Sequence, residues 1–412
     1  SVNGSDQNSG TSENQPIRTI SKALENAVAG STVWIKAGNY GKEFVVIRNT
    51  GKKDKPIKII GYKNTPGDIE SMYFSYGFSN QLNPNEMPLL RGEGDGKGIR
   101  TVKNSKYIII RNIQLDGFKY GISSAGNFNV FDRVLVTDSS LFGIQIDGWK
   151  NSYNRIKNSI VVNAGNSLIR TFNDFNMIDN CKVYADANSR GSTDYYYSFY
   201  RGSNNIIKKS FAQRVGNLKH TGHGISLKGS EVPTEFNLVE DCQVDNISQA
   251  VELRHKEVRY NVVRNILFTG NKSHQAGGLS IRDNSSYNTI ENCRMVGLLR
   301  GIRFTDNKGE QGIQAGGHHN KIINTVFEDC EINIVSSGFD SKALPSTYNE
   351  FLNCTFYNSD YMFSLNEDFN KTNRLTNCNI VKVKELVKKG GANLNIVQTY
   401  NNYYDGFSKS SG

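Results

Sequence analysis

The sequence predicts an all-β fold, a single-stranded, right-handed parallel β-helix with an N-terminal capping helix. A short motif of Asn, an apolar stretch, Asn or Asp, and then Cys or Ser recurs at intervals of 22 to 32 residues, a period typical of solenoids and other repeat proteins. Each interval holds short β-branched runs broken by Gly, Asn, Asp and Ser, and no helical period separates them. The motif begins at Asn154, Asn176, Asn205, Asn237, Asn261, Asn288, Asn320, Asn349 and Asn373.

Two columns of the repeat are interpreted as structural. The recurring Asn is expected to form a ladder at a turn, where its side chain satisfies backbone groups and tolerates left-handed geometry. Five of the six cysteines follow the motif Asn by five positions and Cys330 follows Asn320 by ten, which indicates an inward stack of small, free thiols. A disulfide between Cys354 and Cys378 is the alternative, and the absence of any C-x-x-C pair disfavours a zinc site.

The ends of the chain depart from the repeat. Residues 1–30 are predicted to form a loop followed by a capping helix over Ile17–Gly30, where apolar residues fall at helical spacing and a Gly follows. Residues 31–390 are predicted to form one elongated β-helix domain, with residues 67–100, rich in Gly, Asn and Pro, as an inserted loop. Residues 391–412 are predicted to be a tail.

Composition limits the function classes. Lys and Arg number 49 and Asp and Glu 39, so the formal net charge is +10, which favours an acidic partner. No run of 18 apolar residues occurs, which excludes a membrane-spanning helix of ordinary length. We expect no membrane partner and a monomeric protein.

A basic column emerges when the strand before each motif Asn is aligned. First and third strand positions are mostly apolar and predicted to face the core, so second and fourth positions face outward. This alignment places Arg201, Lys228, Arg254 and Arg282 on four consecutive coils, with Glu252, His255 and Asp283 among them. A solvated basic face is the bland alternative, but regular stacking of like charge favours a linear polyanion as ligand. Cationic neighbours are also expected to lower the pKa of Lys228 and to make its amine available as a base.

An acidic polysaccharide fits this column better than a nucleic acid. The nearby aromatic residues are clustered on one coil at Tyr195–Tyr197 and Phe199, and no nucleic-acid-binding motif is present. On a uronate polymer the natural reaction is β-elimination, in which a base removes the C5 proton, a cation offsets the carboxylate charge and an acid assists departure of O4.

Three segments resemble polysaccharide lyase family six, the group of alginate lyases and chondroitinase B. They are GHGISLKGS at 222–230, AVELRHKE at 250–257 and GGLSIRD at 277–283, in the family's order and spacing over about 60 residues. The opening, with AGSTVWIKAGNY, is also similar. The resemblance implies that Lys228 is the base that removes the C5 proton, that Arg254 is the acid or leaving-group partner, and that Arg282 and His255 line the subsites.

The sequence departs from the family at its calcium site. The family's two acidic ligands lie seven and five residues before the catalytic Lys, where this chain has Thr221 and His223. We therefore expect no metal and no other cofactor, with Arg201, His220, His223 or a nearby Tyr neutralising the substrate carboxylate. Hydrogen-bonded turn residues are the alternative for the two histidines. The full set predicted to bind substrate is Arg201, His220, His223, Glu252, His255, Arg282, Asp283, Arg303, Tyr195 and Tyr197.

Arg254 is an awkward general acid because a guanidinium keeps its proton. A water or a Tyr hydroxyl, among them Tyr200, is the alternative proton donor. Glu252 is an alternative structural partner that holds Arg254 and Lys228 in place.

The sequence thus predicts a secreted or periplasmic polysaccharide lyase, with alginate as the first expected substrate. Three other functions stay open. A β-helical glycoside hydrolase would use Glu252 with Asp283, or Asp283 with Asp306, as its carboxylate pair. A uronate C5-epimerase would share the proton abstraction, and a glycan-binding adhesin would have no catalytic step.

Overall fold

We analysed a computed structural model of the chain, which describes residues 1–69, 82–148, 152–186, 193–216, 222–305, 316–337, 346–365, 372–388 and 396–404. The protein divides into two compact units, Ser1–Tyr197 and Ser198–Gly412. The boundary falls within the strand Tyr195–Tyr200. The prediction of one elongated domain over residues 31–390 stays a prediction.

Each unit is built from parallel β-strands stacked coil upon coil, which confirms the predicted parallel β-solenoid. We call sheet 1 the set to which each coil gives one strand, and sheet 2 the set to which each coil gives two strands or one long strand. In unit 1, sheet 1 comprises Val45–Ile47, Lys97–Thr101, Tyr120–Ser124, Phe142–Ile146 and Ser167–Phe172. Sheet 2 comprises Thr32–Lys36, Gly38–Gly41, Ile57–Tyr62, Pro88–Arg91, Ile108–Asp116, Val130–Ser139, Arg155–Lys157, Ile160–Ala164, Met177–Asp179 and Lys182–Ala185.

Unit 2 repeats the same plan with shorter sheet 2 strands. Its sheet 1 comprises His223–Lys228, Gln249–Arg254, Gly277–Arg282, Arg300–Thr305, Ile332–Ser337, Tyr361–Leu365 and Glu385–Val387. Its sheet 2 comprises Ile206–Lys208, Phe211–Arg214, Leu238–Glu240, Gln243–Asp245, Val262–Arg264, Leu267–Thr269, Thr289–Glu291, Arg294–Val296, Lys321–Ile323, Val326–Glu328, Glu350–Leu352, Thr355–Tyr357, Arg374–Thr376, Asn379–Val381, Val397–Thr399 and Asn402–Tyr404. A small pair, Thr234–Glu235 with Val258–Arg259, and a 3-10 turn at Lys272–His274 complete the unit.

The core of unit 2 lies inside the coils. Alternate strand residues such as Ile225, Leu227, Val251 and Leu253 are buried, as period-two alternation requires. All six cysteines are free and buried, so the inward stack of thiols is confirmed and a disulfide between Cys354 and Cys378 is not formed.

The asparagine ladder is confirmed, with one correction to its geometry. In unit 2 each backbone N–H of the ladder donates to the Oδ1 of the next ladder Asn, as in Asn261 to Asn288 at 3.0 Å and Asn288 to Asn320 at 3.0 Å. The ladder residues themselves are not left-handed. At most positions of this ladder the left-handed residue is the aromatic or His before the Asn, such as Tyr260 and Tyr287, whose rings stack at 5.5 Å. Asn204 takes this place before Asn205.

The N-terminal helix is shorter than predicted. It spans Ile20–Leu24, with Thr19 as its N-cap and with Ile20 and Leu24 buried. The side-chain amide of Asn49 donates to the carbonyls of Leu24 and Ala27 at 3.0 and 2.8 Å. The Asn49 side chain thus caps carbonyls that have no helical partner at the end of this helix.

The predicted loop and the predicted tail both contain strands that belong to the coils. Within 67–100, Pro88–Arg91 pairs with Ile108–Asp116, and the strand that begins at Lys97 pairs with Tyr120–Ser124. Within 391–412, Val397–Thr399 pairs with Arg374–Thr376, and Asn402–Tyr404 pairs with Asn379–Val381. Backbone pairing with the neighbouring coil outweighs the turn-rich composition of these segments. No helix among the described residues is long and apolar enough to span a membrane.

Candidate active site

The predicted catalytic residues stand at the ends of neighbouring strands in sheet 1 of unit 2. Lys228 is in register with Arg254, Arg254 with Arg282, and Arg282 with Thr305. These positions share one face of the sheet because the ladder is parallel and unshifted. The structure thus brings Lys228, Arg254 and Arg282 side by side, as the sequence alignment predicts.

Tyr200, and not Arg201, occupies the equivalent position in the preceding strand. The backbone N–H of the residue that follows this position donates to the carbonyl of the residue at the same position in the next coil. Gly229 donates in this way to Arg254, and Arg201 donates to Lys228. The Lys228 ammonium accordingly lies 5.8 Å from the centre of the Tyr200 ring. The predicted alignment of Arg201 with Lys228 is therefore wrong by one residue.

Arg201 lies just beyond the row. It has a left-handed backbone with φ of 57° and an exposed side chain. Its guanidinium lies 4.9 Å from the Tyr200 ring centre and donates to Ser230 Oγ at 3.1 Å. Arg201 therefore stands beside Tyr200 as a second cation at the edge of the site.

The two arginines of the row are held by buried carboxylates. Arg254 is 7% exposed and its Nε donates to Asp283 Oδ2 at 2.8 Å. Arg282 is 8% exposed, with Nη1 3.4 Å from Glu252 Oε1 and Nε 3.4 Å from Asp283 Oδ2. The expectation that Arg254 points to solvent is wrong, because two carboxylates and two guanidinium groups cover one another.

Glu252 is the centre of this network and is fully buried. It accepts a hydrogen bond from Ser226 Oγ at 2.8 Å, and its Oε2 lies 3.4 Å from His223 Nδ1. Burial raises the pKa of Glu252, but His223, Arg282 and Arg254 with the Ser226 hydrogen bond more than offset it, so the pKa lies below its ordinary value. Glu252 is therefore an ionised structural partner of the arginines and cannot touch a polymer in solution.

The remaining predicted residues fall at different depths. His255 and Asp283 follow their strands with left-handed backbones, φ of 82° and 52°, and are buried. Arg303 is in register with Ser280 on the same face. Burial, reinforced by Arg300 and Arg282, lowers the pKa of Arg303 to about 10.

Tyr197 faces the interior, so its predicted contact with substrate is wrong. It is 1% exposed, and its hydroxyl donates to the Cys181 carbonyl at 2.9 Å. Tyr195 begins the same strand and is half-buried. His220, Thr221 and Asp306 lie outside the described residues.

The described residues do not fit a calcium ion. Calcium takes six to eight oxygen ligands, chiefly carboxylates and carbonyls, whereas at His223 an imidazole faces Glu252. The described part of the chain holds no cluster of three or more His, Cys, Asp or Glu residues arranged to bind a metal.

The sequence predicts Tyr200 only as one of several possible proton donors and does not place it next to Lys228. Matching buried Tyr197 and Phe199 to the core positions Ile225 and Leu227 would have placed Tyr200 beside Lys228.

Comparisons with known proteins agree with this architecture. Residues 1–187 match the family model described as the Pel9A-like, right-handed β-helix region. A mannuronic acid specific polysaccharide family 6 lyase from human gut microbiota has a similar structure, with a TM-score of 0.57 and 12% identity over 85% of this chain and 81% of that chain. The A-module of the mannuronan C-5 epimerase AlgE4 from Azotobacter vinelandii gives 0.54 and 13% identity over 91% and 94%.

One curated sequence also matches, over a short stretch. The uncharacterized protein YwoF of Bacillus subtilis (strain 168) is 47% identical over 64 residues, which is 16% of this chain and 13% of that protein's length. Together the comparisons confirm the resemblance to parallel β-helix polysaccharide lyases at the level of the fold.

Proposed function

We propose that the protein is a polysaccharide lyase that cleaves a uronic-acid polymer by β-elimination, with alginate as the first substrate and chondroitin or dermatan sulfate and other uronates next. One observation carries the proposal: Lys228 stands in a single row between Tyr200 and the carboxylate-held Arg254. This row offers an amine, a phenol and a fixed guanidinium at neighbouring positions. Polymers of this kind are outside the cytoplasm, so we expect the protein to be secreted or periplasmic.

Lys228 is the base in this proposal. Its neutral amine takes the C5 proton of the uronate whose C4–O4 bond will break, and the electrons of the broken C–H bond form the C4–C5 double bond of that sugar. The C4–O4 bond breaks at the same time or just after, and O4 leaves with the sugar to whose C1 it is bonded. The products are a shortened chain and a chain with an unsaturated end.

Arg254 supplies charge stabilisation, and Tyr200 supplies the proton for O4. A guanidinium keeps its proton at neutral pH, so Arg254 suits stabilisation of the developing oxyanion better than proton transfer. Asp283 fixes its orientation through the 2.8 Å contact. The Tyr200 phenol is the nearest described group in the row that can give a proton and recover it from water.

The substrate carboxylate must be neutralised by cations that are not already paired with Glu252 or Asp283. Arg254, Arg282, Glu252 and Asp283 together carry no formal net charge. Arg201, which is exposed, and Arg303, which lies across the same face, are the cations that we assign to the substrate carboxylates. No metal takes part in this scheme.

The buried carboxylates disfavour a glycoside hydrolase. A hydrolase needs one carboxylic acid that is protonated at working pH and reaches the glycosidic oxygen. Glu252 has a lowered pKa and is fully buried, and Asp283 is bound to two arginines. An epimerase shares the proton abstraction, so product analysis distinguishes it from a lyase.

The test is a panel of uronate polymers scored for new double-bond absorbance and for chain length. We expect unsaturated, shortened products from wild type and a loss of at least 100-fold for Lys228→Ala. Lys321→Ala, an exposed lysine of sheet 2, is the matched control and should retain full activity. Saturated new reducing ends would support a hydrolase, and C5 proton exchange without shortening would support an epimerase. Binding of the polymers with no chemical change would support an adhesin.

A further inference from the structure

Sheet 1 of unit 1 holds a second cluster of polar and charged side chains. Ser123, Gln145 and Arg170 are in register on consecutive strands. Lys97 is in register with Tyr120, which lies on the same strand as Ser123. Asp147 directly follows the strand of Gln145. Lys97, Tyr120, Gln145, Asp147 and Arg170 are all partly exposed, so a ligand can reach them.

The Lys97 ammonium contacts a hydroxyl and an aromatic ring, neither of which carries a negative charge. Its ammonium donates to Ser123 Oγ at 3.0 Å and lies 4.7 Å from the centre of the Tyr120 ring. A hydroxyl and a ring face orient an ammonium without cancelling its charge. This differs from Arg254 and Arg282, which bond to carboxylates.

Arg170 forms the opposite side of the cluster. Its guanidinium carbon lies 5.6 Å from the Phe142 ring centre and 4.7 Å from that of Phe172. The rings of Tyr120 and Phe142 are 5.4 Å apart. Two cations are therefore joined by a pair of neighbouring aromatic rings.

Asp147 is the carboxylate of this cluster and is partly exposed. Burial raises the pKa of Asp147 against the opposing effects of a 2.5 Å hydrogen bond from Gln145 and of Lys97 and Arg170. Burial also lowers the pKa of Lys97, with Arg100 adding to the effect and Asp147 opposing it.

We propose that this cluster binds a uronate residue, with Lys97 and Arg170 on the carboxylate and the partly exposed Tyr120 ring against the apolar side of the sugar. Gln145, which is also partly exposed, offers a hydrogen bond to a hydroxyl group. A carboxylated sugar uses the cations and the ring together, which a free inorganic anion does not. The choice of a uronate rests on the proposed function, whereas the chemistry at Lys228 is not needed for the site.

The experiment uses the full chain with Lys228→Ala, so that the ligand is not consumed, and titrates a saturated mannuronate trimer by calorimetry. Adding Lys97→Gln and Arg170→Gln should remove one bound trimer per chain or weaken binding at least tenfold. The matched control adds Lys58→Gln and Arg155→Gln, two exposed cations of sheet 2, and should bind as before. Thermal unfolding checks that each variant is folded, and Lys97→Arg, which keeps the charge, should retain binding.

Unchanged stoichiometry and affinity in the Lys97 and Arg170 variant would overturn the proposal. Equal binding of a neutral glucose trimer would overturn the claim that a carboxylate is recognised. Unsaturated products are scored separately with Lys228 intact. A chain that binds the trimer through Lys97 and Arg170 but makes no such products would refute the lyase and keep this site.

Discussion

The identity of the proton donor depends on a single residue. Replacement of Tyr200 tests whether its hydroxyl or another group, such as water, gives the proton to O4. Tyr200→Phe keeps the ring beside Lys228 and removes only the hydroxyl. If Tyr200 gives the proton to O4, turnover should fall at least 100-fold while polymer binding changes little. Tyr357→Phe, on a half-exposed strand of sheet 2, is the control. Wild-type turnover in Tyr200→Phe would return the proton transfer to water or another group.

Glu252 links the site to stability. Its lowered pKa means that the ionised form stabilises the fold above the ordinary Glu pKa of 4.5, and that this contribution is lost as pH falls through the folded-state value. Glu252→Gln should cost about 3 kcal/mol at neutral pH because Arg282 loses a buried partner. The difference from wild type should shrink below pH 4.5. Denaturant unfolding at several pH values measures it, and a difference that does not vary with pH would contradict the ionised role.

At the residue scale, the sequence predicts which residues stand next to Lys228 on its Arg254 side but not which residue precedes Lys228 in the row. Lys228, Arg254 and Arg282 share one motif register, so alternation alone places them together. The alignment misplaces Arg201 because the run Tyr195–Tyr200 has little apolar–polar alternation to fix its register, and a one-residue slip moves each side chain to the other face of the sheet. Burial of Arg254 and Tyr197 depends on neighbours from other coils, which spacing within one strand does not reveal.

At the scale of elements, the asparagine ladder is the device that fixes the coils of unit 2. Asn288 Oδ1 accepts from the backbone N–H and side chain of Asn261, and its own amide donates to Asn320 and to the Val258 carbonyl. Asn288→Ala removes the acceptor of the buried Asn261 backbone N–H and one of the donors to the Val258 carbonyl, so it should cost about 1 to 3 kcal/mol. Gln243→Ala, an exposed amide of sheet 2, should cost much less, and equal midpoints in urea for the two variants would contradict the ladder's role.

The sequence could predict the ladder and the thiol stack because both recur at fixed positions. The helix and the turn-rich segments were harder. Apolar spacing over Ile17–Gly30 is typical of a helix, yet the helix ends at Leu24, whose carbonyl the Asn49 side chain caps. The strands Pro88–Arg91 and Val397–Thr399 form by pairing with distant coils, which local composition does not record.

At the scale of the whole molecule, the repeat period is sufficient to predict the fold class, since every coil uses the same strand and turn pattern. Function does not follow from the fold, because lyases and an epimerase share it. The site must therefore be tested by its products.

Metal dependence belongs to this scale as well. The family's acidic ligand positions are Thr221 and His223 in this chain, so we predict that exhaustive chelation leaves activity unchanged. The measurement compares initial rates before and after dialysis against a chelator. Loss of activity that added calcium restores would show that other residues bind the ion.

The central claim is elimination at Lys228, and its most direct measurement is the structure of the product end. Wild-type protein and alginate should yield oligosaccharides with a C4–C5 double bond at the new non-reducing end, seen by mass spectrometry and by absorbance, and Lys228→Ala should yield none. Saturated products from wild type, or unsaturated products from Lys228→Ala at the wild-type rate, would contradict the account.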